Sequence, residues 1–449
     1  MPNKVGLNES FPDITKSQKI FKKVEGTGLI PGYTQLLAKG PEQWTKGIAP
    51  IYLKRGKGAR VWDVDDNEYI DINMAVGPLV LGYCYDKIDE AIKKQLEDGI
   101  TFSLTHPLEV ELSEKIVEMV PCAESVRISK TGCDAASAAI RIARAFTGRE
   151  RVLACGYHGW HDWYISVTDR NAGIPKAVQD LTYTFNYNDI DSLADSIDDD
   201  TACVIMEPTI FEAPKEGFLE QVKEICHKHG ALLIFDEIWT GFRMNLGGAQ
   251  TEYGVTPDLA TFSKAMANGM PVSVVCGRKD VMKVLEHNVF FFTTFGGEAL
   301  TLAASMATIN ELIDKNVPTH LSKQGAKLKD GYNKTAEDLG MDYTKAIGHN
   351  YRSMITYDAK AGDPLLQKTL VQQEMIKRGV LWGGFHTMCY SHTDEDMDYI
   401  VKAYGEVLPI LKDAIDNNKL AESLKGEPLK PVFRKTTNSG LKTKAKAEA

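Results

Sequence analysis

The chain has 449 residues, 43% of them hydrophobic and 25% charged, with a formal net charge of -9. That balance suits a soluble globular chain with room for two domains, excludes wholesale disorder, and offers no concentrated basic surface for nucleic acid. No apolar stretch approaches the roughly 20 residues of a membrane-spanning helix, and Met1–Ser10 lacks the apolar core of a signal peptide, so no membrane contact and a cytoplasmic location are expected.

Residues Met1–Lys23 are polar and weakly patterned, and Gly and Pro recur from Val24 to Pro50, which predicts an irregular arm. Ala59–Ile72 alternates apolar and polar residues around Asp65-Asp66-Asn67 and predicts a hairpin. Helical spacing over Ile88–Leu96 and Glu109–Val120 precedes a short strand, Val126–Ser129, and an Ala-rich helix, Asp134–Thr147. Strands follow at Val152–Cys155, Ala202–Met206, Ala231–Phe235 and Val272–Cys276, with helices such as Leu219–Lys228 between them. Such alternation predicts an α/β fold with a mostly parallel central sheet and helices on both faces. Around Ser322 the pattern changes to helices mixed with amphipathic strands near Arg352–Tyr357 and Met388–Tyr390, a smaller α+β C-terminal domain. The expected divisions are an arm and hairpin over 1–75, a large domain over 76–320, a small domain over 321–424, and a basic tail over 425–449 that is mobile at its end.

Eight cysteines stand singly with no C-x-x-C pair, so neither a zinc ribbon nor a disulfide framework is indicated. Cys226-His227-Lys228-His229 lacks a second pair of ligands, and no metal is expected.

The chemistry concentrates between Ala231 and Pro271. An apolar run of strand length ends abruptly at Asp236-Glu237, where open α/β sheets place their ligands. Lys264 follows in the next strand-end loop. A lysine shielded from water can lose its charge and form a Schiff base with an aldehyde, and pyridoxal phosphate is the aldehyde to suspect. A carboxylate against that cofactor's ring nitrogen would keep it protonated and let the ring take up electrons. An apolar run before Asp-Glu also marks the metal-holding strand of nucleotide hydrolases. That alternative requires G-x-x-x-x-G-K-[ST], which is absent; Gly56-Lys57-Gly58 lacks the hydroxyl.

The residues Asp236-Glu237-Ile238-Trp239-Thr240-Gly241-Phe242-Arg243, Gly247-Gly248-Ala249-Gln250, Tyr253-Gly254-Val255-Thr256-Pro257-Asp258-Leu259, Lys264 and Gly269-Met270-Pro271 resemble glutamate-1-semialdehyde 2,1-aminomutase, of the class III pyridoxal-phosphate aminotransferases. The likeness runs from about Pro31 to about Lys412. It implies fold type I, pyridoxal 5′-phosphate as cofactor, Lys264 and Asp236 as catalytic residues, and a homodimer with shared active sites.

The resemblance also implies the other cofactor contacts. Thr131-Gly132-Cys133 would offer backbone N–H groups to the phosphate at a helix start. There Cys133 replaces the family's hydroxyl, and a well-capped helix is the plainer explanation. Tyr157 would stack on the cofactor ring, His158 would either touch the site or fix its own loop, and Ile238 would cover the other ring face or be an ordinary core residue. Glu207 would orient Asp236 or meet the substrate side, and Thr294 would reach the partner subunit's phosphate. Lys39, Trp160 and Glu298 complete the set as candidate substrate contacts.

Two departures argue for a substrate other than glutamate-1-semialdehyde. Leu36 and Lys39 stand where the aminomutase has Ser and Arg, and a point charge does not replace a bidentate fork. Gly383-Gly384-Phe385-His386 also differs from the family's acidic counterpart. The expected function is amino transfer between an amine or amino acid and a carbonyl compound. A true intramolecular aminomutase is the alternative, and decarboxylation, racemisation or a non-catalytic subunit are lesser ones.

Overall fold

The computed structural model describes residues 3–6, 8 and 10–431, and these divide into two units. One is built from the described residues up to Tyr85 and from Thr319 onward; the other runs from Asp86 to Pro318.

The first unit opens with a helix, Thr15–Thr27, where an irregular arm was expected. Ser17, Phe21 and Val24 form its buried stripe. Ile14 at its start offers no side-chain cap; the Asp13 carboxylate accepts from the Thr15 N–H at 3.0 Å, and the Asp65 carboxylate from those of Lys16 and Ser17, at 2.7 and 2.9 Å. An added strand, β1 (Leu53–Lys57), pairs with the expected hairpin, which consists of β2 (Arg60–Asp63) and β3 (Glu68–Asp71). Buried Asp63 shapes the turn by accepting from the N–H groups of Asp65 and Asn67, each at 2.9 Å.

The second unit holds seven strands: β4 (Ser125–Ser129), β5 (Arg151–Cys155), β6 (Thr182–Thr184), β7 (Thr201–Met206), β8 (Leu232–Asp236), β9 (Leu259–Phe262) and β10 (Ser273–Gly277). They form one sheet in the order β4-β10-β9-β8-β7-β5-β6, in which only β10 runs antiparallel to its neighbours. Every residue of β7 and β8 is buried, because alternate side chains feed two cores. Cys203, Ile205, Leu232 and Ile234 face a core shared with Ala136, Ala139, Ile140 and Ala143 of the helix Gly132–Thr147. Val204, Met206, Leu233 and Phe235 face another with Phe218, Leu219 and Val222 of the helix Phe218–Lys228. The mostly parallel sheet with helices on both faces is thus present; β6 and β9 are strands beyond those the sequence pattern marked.

In the remainder of the first unit, β11 (Thr344–His349), β12 (Arg352–Tyr357) and β14 (Phe385–Thr387) form an antiparallel sheet, while β13 (Val380–Leu381) joins β3 in parallel. That pairing ties the N-terminal hairpin to the C-terminal segment instead of leaving it as a separate arm. The strand expected near Met388–Tyr390 falls earlier, at β14. The Cys389 N–H donates to the His392 ring, and those of Tyr390 and Ser391 donate to the carbonyls of Val80 and Leu81. Of the basic tail, Leu429 is buried and its N–H donates to the Thr369 hydroxyl, 3.1 Å away; the mobile end expected of the tail lies outside the described residues.

Candidate active site

Both β4 and β9 run antiparallel to β10, so they point the same way as the parallel strands, and the chain leaves β4, β5, β7, β8 and β9 along one edge of the sheet. The loops there carry most of the predicted site residues.

Asp236 closes β8 and is buried. Its Oδ2 lies 2.7 Å from Nδ1 of His158, and its Oδ1 accepts from the Ile238 N–H at 3.1 Å and the Thr261 hydroxyl at 3.4 Å. The Nε2 of His158 faces the Cys155 carbonyl at 3.2 Å. Both ring nitrogens therefore face oxygen acceptors. Trp163 stacks beside this ring and Tyr164 meets it edge-on. His158 thus fixes its own loop and braces Asp236 at the same time.

The β4 exit begins the helix Gly132–Thr147 with a capping box in which Thr131 accepts from the Asp134 N–H and Asp134 from the Thr131 N–H. Close approaches weld this start to its neighbours. A Cβ on Gly132 would stand 2.7 Å from Cδ1 of Ile238, and one on Gly159 would stand 2.4 Å from Sγ of Cys133. Cys133 therefore faces the β5 loop, and burial pushes its thiol up. On that loop the Tyr157 N–H donates to Oε2 of Glu207, at the end of β7, over 3.0 Å. Trp160 is 69% exposed.

Lys264 follows β9 with a left-handed backbone, φ 46°, a conformation that costs a non-glycine residue energy and clusters at functional sites. Its Nζ lies 4.3 Å from the centre of the Trp239 indole, which the Arg243 guanidinium approaches at 5.7 Å. Trp239 was visible in the sequence only as a motif position; its place beneath the amine needs the fold. Glu237, beside Asp236, does different work. Its fully buried carboxylate accepts from the Thr240 hydroxyl, from the N–H groups of Ala249 and Gln250 at 2.8 and 3.0 Å, and from the Gln250 amide, and burial raises its pKa.

The remaining predicted residues lie apart from these contacts. Glu298 caps the helix Ala299–Asp314 and receives Lys130 Nζ at 2.7 Å, so its carboxylate is engaged within the protein. Thr294 is exposed in the preceding loop. Lys39 belongs to the other unit, exposed in the turn Leu37–Lys39. His227 and His229 pair with Asp258 and Asp199.

The sequence model of the family described as Aminotransferase class-III matches residues 43–394. The chain is 38% identical to a 3-aminobutyryl-CoA aminotransferase of Cloacimonas acidaminovorans, over 89% of this chain and 98% of that protein. It is 32% identical to a glutamate-1-semialdehyde 2,1-aminomutase of Syntrophobacter fumaroxidans, over 82% and 92%. Among solved structures, the PLP internal aldimine form of the Sphingopyxis sp. MTA144 FumI protein superposes with a TM-score of 0.83 at 26% identity, covering 94% of this chain and all 100% of the other.

Proposed function

This chain belongs to the class III aminotransferases, and from that membership we propose that it moves an amino group between a 3-amino acyl compound and a carbonyl acceptor. It is an enzyme of fold type I, and its cofactor is pyridoxal 5′-phosphate. The residues fit that cofactor: an anion-seeking helix start is kept open by a glycine, where a Cβ would meet Ile238, and a braced carboxylate and a lysine leave adjacent parallel strands.

Bound there, pyridoxal phosphate supplies an aldehyde that captures amines and a ring that accepts electrons from a breaking C–H bond. Asp236 would hold its charge beside the ring nitrogen, fixed by His158 and the Ile238 N–H. Thr131, Gly132 and Cys133 would hold the phosphate, chiefly through backbone N–H groups. Tyr157 and Ile238 would cover the ring faces and exclude water, with Glu207 setting the Tyr157 loop. Lys264 Nζ would anchor the aldehyde and then carry a proton from the substrate carbon. We assign Trp160 and Lys39 to substrate contact, and Glu298 to fixing the Thr294 loop.

The observation that carries this reading is the placement of buried Asp236 and half-buried Lys264 at the ends of neighbouring strands β8 and β9. The 3-aminobutyryl-CoA aminotransferase supports the substrate class by its identity over nearly its whole length. Leu36 and Lys39 argue against an aminomutase on glutamate-1-semialdehyde.

A homodimer belongs to the same proposal. Leu104 is 86% exposed and Phe295 58%, with Phe102, Phe290 and Phe292 also exposed, and the Ala299 N–H donates to the Ile100 carbonyl, joining the two segments into one apolar patch. A second copy covering that patch would bring Thr294 to the partner's site. Eight free thiols suit a reducing cytoplasm.

The test is the absorption of the holoenzyme between roughly 320 and 430 nm during additions of 3-amino acyl compounds and carbonyl acceptors. A band that bleaches with the amine and returns with the acceptor supports transamination. Recovery with one substrate alone means an aminomutase, and the absence of any band overturns the assignment.

A further inference from the structure

The turn Thr131-Gly132-Cys133 of the second unit follows directly on Lys130. A lysine beside an anion-seeking helix start is ordinarily a phosphate ligand. Lys130 is committed elsewhere. Its Nζ donates to Glu298 Oε1 at 2.7 Å and to the Thr301 hydroxyl at 3.0 Å, and the paired side chains are only 17% and 10% exposed. Glu298 is held as firmly. Its carboxylate also accepts from the N–H groups of Leu300 and Thr301, at 2.9 and 3.2 Å, and from the Thr301 hydroxyl, so one group both caps the helix Ala299–Asp314 and receives the cation.

The segment leading to Glu298 lies along β4. Arg127 donates to the Phe291 carbonyl at 3.0 Å. A Cβ on Gly296 would stand 3.1 Å from the Ile128 carbonyl oxygen, and one on Gly297 would stand 2.3 Å from Oε1 of Glu109, in the helix Pro107–Met119. Arg127, Ile128 and Lys130 therefore meet residues 291, 296 and 298 in step, and the ion pair is the contact of that series next to the turn. From the other side, Asp134 Oδ2 accepts from the Ser129 hydroxyl at 3.3 Å and from the Thr131 N–H at 2.8 Å. Residues 129 and 131 are thus fixed by the helix that the turn begins, and residue 130 by the helix Ala299–Asp314.

We propose that Lys130 and Glu298 are a positioning pair: they tie the turn 131–133 to the helix Ala299–Asp314 and so aim its backbone N–H groups at the cofactor's phosphate, without the ammonium itself touching that phosphate. The proposal deepens the cofactor reading and rests on it, since the phosphate's place at this turn belongs to that reading.

The test uses the full-length protein, stripped of cofactor and titrated with pyridoxal phosphate or with pyridoxal, which has the same aldehyde and ring but no phosphate; binding is read by absorbance. Lys130→Met and Glu298→Gln are each expected to weaken pyridoxal phosphate about tenfold, as loss of a contact one step behind a bound group does at metal sites, and to leave pyridoxal unchanged. Lys130→Arg keeps a cation for Glu298 and is expected to retain most of the affinity. Glu298→Gln gives the decisive sign: were the ammonium a phosphate ligand held back by its partner, neutralising that partner would tighten pyridoxal phosphate, and the proposal would fall. The buried Ala135 amide donates to the Thr131 carbonyl at 3.2 Å, and its hydrogen exchange in cofactor-free Lys130→Met is expected to speed up about tenfold. An unmoved exchange rate, or variants that lose pyridoxal and pyridoxal phosphate alike, overturns the pair's role alone. An unaltered protein that binds both compounds equally well overturns the phosphate's place at this turn, and the pair's role with it.

Discussion

Replacing His158 tests whether Asp236 is held by its buried contact with that ring. In His158→Ala the Asp236 carboxylate keeps only the Ile238 N–H at 3.1 Å and the Thr261 hydroxyl at 3.4 Å, and loses its 2.7 Å contact in a region closed to solvent. Removing a hydrogen-bond partner of a buried carboxylate typically costs about 3 kcal/mol, because the carboxylate is left short of a partner. His158→Asn restores an N–H near the position of Nδ1 while giving up the 3.2 Å contact to the Cys155 carbonyl, so its loss is expected to be smaller by about 2 kcal/mol. Urea titrations of both variants, at low and high salt, measure the difference; burial makes it insensitive to salt. Hydrogen exchange at the Ile238 amide, which donates to the same carboxylate, gives a local reading of the same loss. Equal destabilisation by Ala and Asn, or a loss below about 1 kcal/mol for Ala, would refute the argument that the contact, rather than the bulk of the ring, secures Asp236.

Lys264→Ala is expected to abolish the long-wavelength band and to lower turnover by about 10²- to 10⁴-fold through lost proton transfer alone, measured by spectrum and single-turnover kinetics. Gly156→Ala puts a Cβ 2.7 Å from Glu207 Oε2 at φ +108°, and about 1 to 3 kcal/mol of stability is expected to go in a urea titration. Half-buried His349 and buried His386 and His392 are lowered, chiefly by desolvation, to about 4, 3 and 4. Their folded values lie below the unfolded one, so their neutral forms stabilise the fold above about pH 6.5, and stability falls as the pH drops toward 4, by up to about 1.4 kcal/mol per pH unit for each ring. His386→Gln should flatten that slope; an unchanged slope counts against the assignment.

The large unit was legible because β7 and β8 are buried on both faces and read as unbroken apolar runs ending in an acid. Asp236 stood out for the same reason, charge appearing where an apolar strand stops, whereas Lys264 stood out as a lone Lys among Ser, Ala, Asn and Gly beside Gly269 and Pro271. The helix Thr15–Thr27 was harder to read because the N–H groups of Lys16 and Ser17 are taken by Asp65, 49 residues from Lys16, and the residue at its start is Ile14. β14 was displaced in the sequence reading because apolar Met388 and Cys389 look like strand, while the neighbouring N–H groups at 389–391 are taken by His392, Val80 and Leu81. The meeting of Trp239 with Lys264 and of His158 with Asp236 joins different strand-end loops, a relation that spacing along one chain does not encode.

The parallel pairing of β3 with β13 matches Ile70 to Val380. A ribosome adding roughly 5 to 20 residues per second makes the second of these about 15 to 60 s after the first. For that interval the sheet of the first unit cannot close, whereas the seven strands from Ser125 to Gly277 can pair as soon as they have emerged. Birth order therefore runs from the middle outward: the seven-stranded unit is finished while the N-terminal hairpin still waits for its partner. A chain interrupted before Val380 would carry an unclosed β3 edge, the kind of exposed strand on which chaperones act and aggregates begin.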